Sequence, residues 1–71
     1  MKLNYDPETD SLYIDFSSKA GTEAREIADG VIADFDDDGN LVGLDIEDAS
    51  KKLDLGSVDV DALPIPVLKS A

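Results

Sequence analysis

The stretch Ala28–Asp48, ADGVIADFDDDGNLVGLDIED, holds two turn signals, three strand-like runs and the densest group of carboxylates in the chain. How it is read decides the fold. Asp34, Asp36, Asp38, Gly39 and Asp45 follow the spacing D-x-D-x-D-G-x5-D, close to an EF-hand loop in which oxygens at alternate positions converge on calcium. Leu41 supplies the apolar eighth position that such loops carry. The same residues also read as a β-hairpin. Ile32 to Phe35 then runs antiparallel to Leu41 to Leu44 across a DDDGN turn, with Gly39 at a positive φ.

Local propensity favours the hairpin. An EF-hand needs a helix entering its loop, and Gly30 followed by β-branched Val31 and Ile32 is a poor end for one. Ala24, Ile27, Ala28, Val31, Ile32 and Phe35 do fit a helical stripe. Asp29-Gly30 between two apolar runs is, however, a strong hairpin signal. Pairing Phe35 with Leu41 sets Asp34 opposite Val42 and sends Asp45 to the other face, roughly 10 Å away, where the two could not share an ion. The twelfth position is Asp, too short to imitate the bidentate Glu. Weak divalent-cation binding, calcium above all, at Asp36, Asp37 and Asp38 stands as the alternative reading of this turn.

That register sorts the apolar residues. Ile27, Ile32, Val42, Leu44 and Ile46 collect on one face, and Val31, Ala33, Phe35 and Leu41 on the other. One layer of helix covers only one face, so the second set is the expected interaction surface, serving a homodimer. Gly43, inside a strand, marks a bulge or a close approach, with packing under Phe35 as the expected reason.

The flanks extend the pattern. Lys2 to Asp6 alternates around Leu3 and Tyr5, and Ser11 to Phe16 sets Leu12, Ile14 and Phe16 against Tyr13 and Asp15. Between them, Asp6-Pro7-Glu8-Thr9-Asp10 is a turn in which Pro7 sets φ and the two aspartates accept from nearby amides. Ser17 to Thr22 is a loop hinged at Gly21. Glu47 to Leu53 reads as a short helix with Asp48 as N-cap and Lys51 and Lys52 near its end. Ser57 to Leu63 reads either as a second helical turn or as a strand, its alternation weakly favouring strand, and Pro64 and Pro66 make residues 64–71 an edge segment or tail. The expectation is a single α+β domain over residues 1–71, a small antiparallel β-sheet of hairpins in meander order with a short C-terminal helix.

Composition bounds the function. A chain of 71 residues is one domain with a small core, for which association is a remedy. A net charge of -11 repels nucleic acid and suits a basic protein partner. It also suits plain solubility or a salty interior. With no His or Cys, the common nucleophile–base pairs and nearly all zinc sites are absent. Carboxylate pairs such as Asp6 with Asp10, or Asp34 with Asp36, are explained by turn chemistry. No enzyme activity and no cofactor are expected. No apolar h-region opens the chain and no long apolar run follows, so a cytoplasmic protein without a membrane span is expected.

Taken together, Tyr5-Asp6, Glu8, Asp10 and Leu12-Tyr13-Ile14, then Asp34, Asp36, Asp38, Gly39 and Leu41-Val42-Gly43, resemble the small prokaryotic family called domain of unknown function 2283. The likeness spans roughly Asn4 to Leu53. It departs at the ending, where Asp45 replaces the usual Glu and Glu47 the usual apolar residue. The resemblance implies a compact antiparallel sheet with a C-terminal helix and no assigned activity. Companions of some members resemble small basic toxins, so the resemblance also implies an antitoxin-like role.

Overall fold

The computed structural model describes residues 1–59 and 61. Five strands form one antiparallel sheet: β1 (Lys2–Asp6), β2 (Ser11–Asp15), β3 (Glu23–Ala28), β4 (Val31–Phe35) and β5 (Leu41–Ile46). A single short helix, α1 (Ala49–Lys52), follows. The hairpins are where the sequence predicts them, but their order across the sheet is β1-β2-β5-β4-β3. It is therefore not a simple meander. The loop after β2 crosses over the ends of β5 and β4 to start β3 at the far edge, and β5 enters the middle between β2 and β4. Burial explains the choice. Val42, Gly43 and Ile46 are buried, whereas every residue of β1 and of β3 is exposed.

Register differs from expectation by one bulge. Phe35 pairs with Leu41 as predicted, but the next step pairs Asp34 with Gly43, leaving Val42 as the extra residue. Ala33 then faces Leu44, and Val31 faces Ile46. Because strand side chains alternate with period two, one inserted residue exchanges the faces of all that follow. Val31 and Ala33 thus share a face with Leu44 and Ile46, and on the other side of β5 with Leu12 and Ile14. The expected second apolar face does not exist in that form. Ala33 is only 1% exposed, and Val31 packs on the core of Leu12, Ile46 and Ala49. A second bulge leaves Ile27 unpaired in β3.

The turns hold for local reasons. Asp6 accepts from the Glu8 amide at 3.0 Å, and Gly30 and Gly39 take positive φ of 69° and 82°, as their hairpins require. The helix, Ala49–Lys52, is shorter than the Glu47 to Leu53 expected; Asp48 stands at its N-cap as predicted, but in the left-handed region with no side-chain cap. Lys52 turns back from the helix end, donating to the carbonyls of Asp29 at 2.9 Å and Glu47 at 2.8 Å. Its ammonium occupies the space a side chain at Gly30 would need. Glu47 lies beyond the end of β5 and is exposed, so its departure from the family pattern leaves the strand's burial intact. Ser57–Asp59 and Asp61 form neither strand nor helix; the rest of the expected strand to Leu63 and the edge segment or tail at 64–71 lie outside the described residues. Among the described residues no helix is long and apolar enough to cross a membrane.

Gly43 is explained by Tyr13 instead of Phe35. A methyl group there would collide with the Tyr13 hydroxyl and ring. Gly43→Ala is therefore expected to lower stability in urea unfolding by about 1–3 kcal/mol, the usual cost of an overpacked interior. Gly56→Ala, where a methyl group would meet only the Asp54 carboxylate at 3.4 Å, is expected to stay within roughly 0.5 kcal/mol of the parent.

Candidate functional site: the acidic face of the sheet

The sheet has one apolar side, covered in part by α1, and one polar side. The register assigns residues to the polar side in two rows. Lys2, Asp15, Gly43, Asp34 and Ala24 form the first, and Asn4, Tyr13, Asp45, Ile32 and Glu26 the second. In these two rows four carboxylates, Asp15, Asp34, Asp45 and Glu26, stand with one cation, Lys2, and Asp6 lies on the same side in the next row. Neighbouring strands lie about 4.8 Å apart, so these groups are spread through a field and do not converge on a point. Among the described residues no group of three or more His, Cys, Asp or Glu is placed to hold a metal ion.

Tyr13 crosses this surface. Its ring passes over Gly43 and its hydroxyl donates to Asp34 Oδ2 at 2.9 Å. The bond to the Asp34 carboxylate, followed by partial burial, pushes the Tyr13 hydroxyl above the usual phenol range. Asp34 and Asp45 were expected on opposite faces. The bulge at Val42 instead makes them diagonal neighbours on the same face, with backbones roughly 7–8 Å apart.

Of the remaining carboxylates the sequence singles out, Asp36 and Asp10 are structural. Asp36 is only 8% exposed. Its Oδ1 accepts from the amides of Asn40 at 2.8 Å and Asp38 at 2.9 Å, and its Oδ2 from the Asn40 side chain at 3.3 Å. The Asn40 amide above all holds the Asp36 carboxyl below its ordinary range. Asp37 and Asp38 stand exposed beside it, and the three aspartates border a shallow hollow with Lys19, Ala20 and Thr22. Lys19 contributes a favourable charge to Asp36. Asp10, expected to serve its own turn, reaches across 40 residues of sequence. It accepts from the Ser50 hydroxyl at 2.7 Å and amide at 3.1 Å, and from the Tyr5 hydroxyl at 2.7 Å. Its main-chain carbonyl takes the Ala49 amide at 2.8 Å. The Ser50 hydroxyl first and Tyr5 second hold Asp10 below the ordinary carboxylate range, while the same bond raises Tyr5.

Of the residues expected at an interaction surface, Val31 and Ala33 are taken up by the core, and Leu41 remains 44% exposed at the bulge. Phe35 is half-buried and carries Arg25 over its ring, 4.2 Å from the centroid. The acidic face had a signal the sequence reading used only for packing. The alternation of Ser11 to Asp15 already placed Tyr13 and Asp15 together away from Leu12 and Ile14. For Asp34 and Asp45 the signal was incomplete: Gly43 marked a bulge or a close approach, but not that Val42 would be the extra residue and bring the two carboxylates onto one face.

A family profile described as "Protein of unknown function (DUF2283)" matches residues 2–50. The chain belongs to this family. The matched span starts with β1 and ends on Ser50, so it contains both partners of the Asp10–Ser50 contact. An uncharacterized protein of Methanocaldococcus jannaschii is 32% identical over 62 residues, covering 84% of this chain and 51% of that protein. This chain thus spans about half the length of the curated relative it matches. No solved structure matches it.

The depressed carboxylates set a pH dependence. Asp10 and Asp36 bind protons less readily folded than unfolded, where carboxyls titrate near about 3.9. The stability they supply is present in full above about pH 4 and is lost as pH falls through their folded values. In urea titrations between pH 2 and 7, Asp36→Asn is expected to flatten the acid limb by up to about one proton. An unchanged slope below pH 4 would remove Asp36 from this role.

Proposed function

We propose that the protein is a non-enzymatic interaction module whose acidic sheet face docks a basic protein; an antitoxin-like partnership is the form the family resemblance suggests. The observation that carries this reading is the gathering of Asp15, Asp34, Asp45 and Glu26 on one face beside a single lysine. The salt bridge among the described residues, Arg25 to Glu23 at 3.6 Å, lies on the apolar side, so it does nothing to neutralise the field. A surface potential of one sign speeds and orients encounter with a partner of the other. Tyr13 and Ile32 supply half-buried apolar area in the middle of the charged rows, and Tyr is a residue type favoured at contact centres.

The test separates this face from net charge as a whole. A basic partner captured at low ionic strength is to be titrated against the parent, against Asp15→Asn/Asp45→Asn/Glu26→Gln, and against a charge-matched control, Glu8→Gln/Asp37→Asn/Asp54→Asn. Exposed pairs are worth roughly 0.2–1 kcal/mol each. The face variant is accordingly expected to bind about tenfold more weakly, the control to stay within about threefold, and binding to fade as salt is raised. Equal losses in both variants would sink the assignment to this face.

A further inference from the structure

We propose that the chain forms a twofold dimer by pairing the outer edge of β1 with β1 of a second copy, extending the sheet to ten strands. Among the described residues β1 pairs with β2 alone, and all five of its residues are exposed. A strand edge of this kind presents a row of unpaired amides and carbonyls. The opposite edge is blunted. β3 carries the Ile27 bulge, and its Arg25 is folded over Phe35. β1 has neither device.

The sequence of β1, KLNYD, is complementary to itself in antiparallel register. With Asn4 on the twofold axis, Lys2 stands opposite Asp6 of the partner subunit, and Leu3 stands opposite Tyr5 of the partner subunit. Symmetry repeats both pairs, giving two opposite-charge contacts on the polar side and two apolar contacts on the helix side. Cross-strand pairs of these kinds are the stabilising unit of a sheet, and an isologous interface requires this self-match. Registers centred on Leu3 or Tyr5 match only part of the strand and bring no lysine opposite an aspartate.

Among the described residues nothing covers the apolar side of the same edge. Leu3 is 52% exposed and Tyr5 46%, and with Leu12, Leu53, Leu55, Val58 and the carboxylate-bearing Asp54 they line a hollow of about 630 Å³. Tyr5 is held in place by its bond to Asp10. Edge pairing brings the hollows of two copies together across the axis, so the Leu3 and Tyr5 rings and branches leave water where the single chain has few buried apolar residues to rely on. The occupant is a second copy because the charge pattern of β1 fits β1. The dimer uses neither Asp15, Asp45 nor Glu26, so it stands or falls separately from docking on the acidic face.

Sedimentation equilibrium of the full chain near neutral pH tests it. The parent is expected to approach twice its 7.6 kDa as concentration rises. Lys2→Asp, which sets acid against acid, and Asp6→Lys, which sets base against base, are each expected to weaken self-association at least tenfold while circular dichroism stays that of the parent. Mixing the two variants restores opposite charges at both ends and is expected to recover the dimer mass. A parent that remains monomeric at millimolar concentration, a Lys2→Asp chain that dimerises as the parent does, or a mixture that stays monomeric would overturn the proposal. If either single variant loses its folded spectrum, Leu3→Lys serves in its place, with the same loss of association expected and its absence equally fatal.

Discussion

The ladder between β2 and β5 holds the molecule together. Among the described residues it is the one set of strand pairings that joins the N-terminal hairpin to the three strands that follow, and it places Leu12 opposite Ile46 and Ile14 opposite Leu44. Leu12 and Ile46 belong to the small core, and Ile14 packs against it. The contact from Asp10 to Ser50 lies at the end of this ladder and ties the first turn to the start of α1. Lys52 does the same from the other side, bridging the Asp29 and Glu47 carbonyls. The helix is too short to be stable alone. Its position is set by side chains that hold it against two turns.

The acidic residues divide by where they stand. Asp6, Asp10 and Asp36 accept hydrogen bonds from amides and hydroxyls, and each such bond fixes a turn. These groups are part of the fold. Asp15, Asp34, Asp45 and Glu26 are set in rows by strand pairing, with few cations near them, and three of them also accept a hydrogen bond: Asp15 from the Ser17 amide, Asp34 from the Tyr13 hydroxyl and Glu26 from the Gly30 amide. A small domain with a high net charge repels itself, and it carries that cost at all pH values where the carboxylates are ionised. A partner of opposite charge lowers it. The polar side of the sheet and the outer edge of β1 meet at Lys2 and Asn4, while Asp15, Asp45 and Glu26 stand away from that edge.

Much of the architecture was legible in the residues. Alternation in Ser11 to Asp15, the Asp29-Gly30 corner, the DDDGN turn and the break at Asp48 each reflect chemistry within a few residues of themselves, and each element stands where that chemistry puts it. The EF-hand reading failed for the same reason, since a glycine corner and β-branched residues do not lead a helix into the loop. Gly43 marked a bulge or close approach in β5, but the order of strands, the register that the extra Val42 imposes, and the partner of Asp10 were not legible.

Sequence by itself therefore determined the strands, the turns, the absence of thiol and imidazole chemistry, and the excess of negative charge, because propensity, side-chain inventory and charge are properties of neighbours along the chain. Tertiary structure alone decided that β5 lies between β2 and β4, that one extra residue turns Val31 and Ala33 inward and aligns Asp34 with Asp45, and that Tyr13 lies across Gly43. Those outcomes depend on which distant apolar surfaces bury one another best. That competition is settled across the sheet, between residues far apart in the chain, and no local pattern records it.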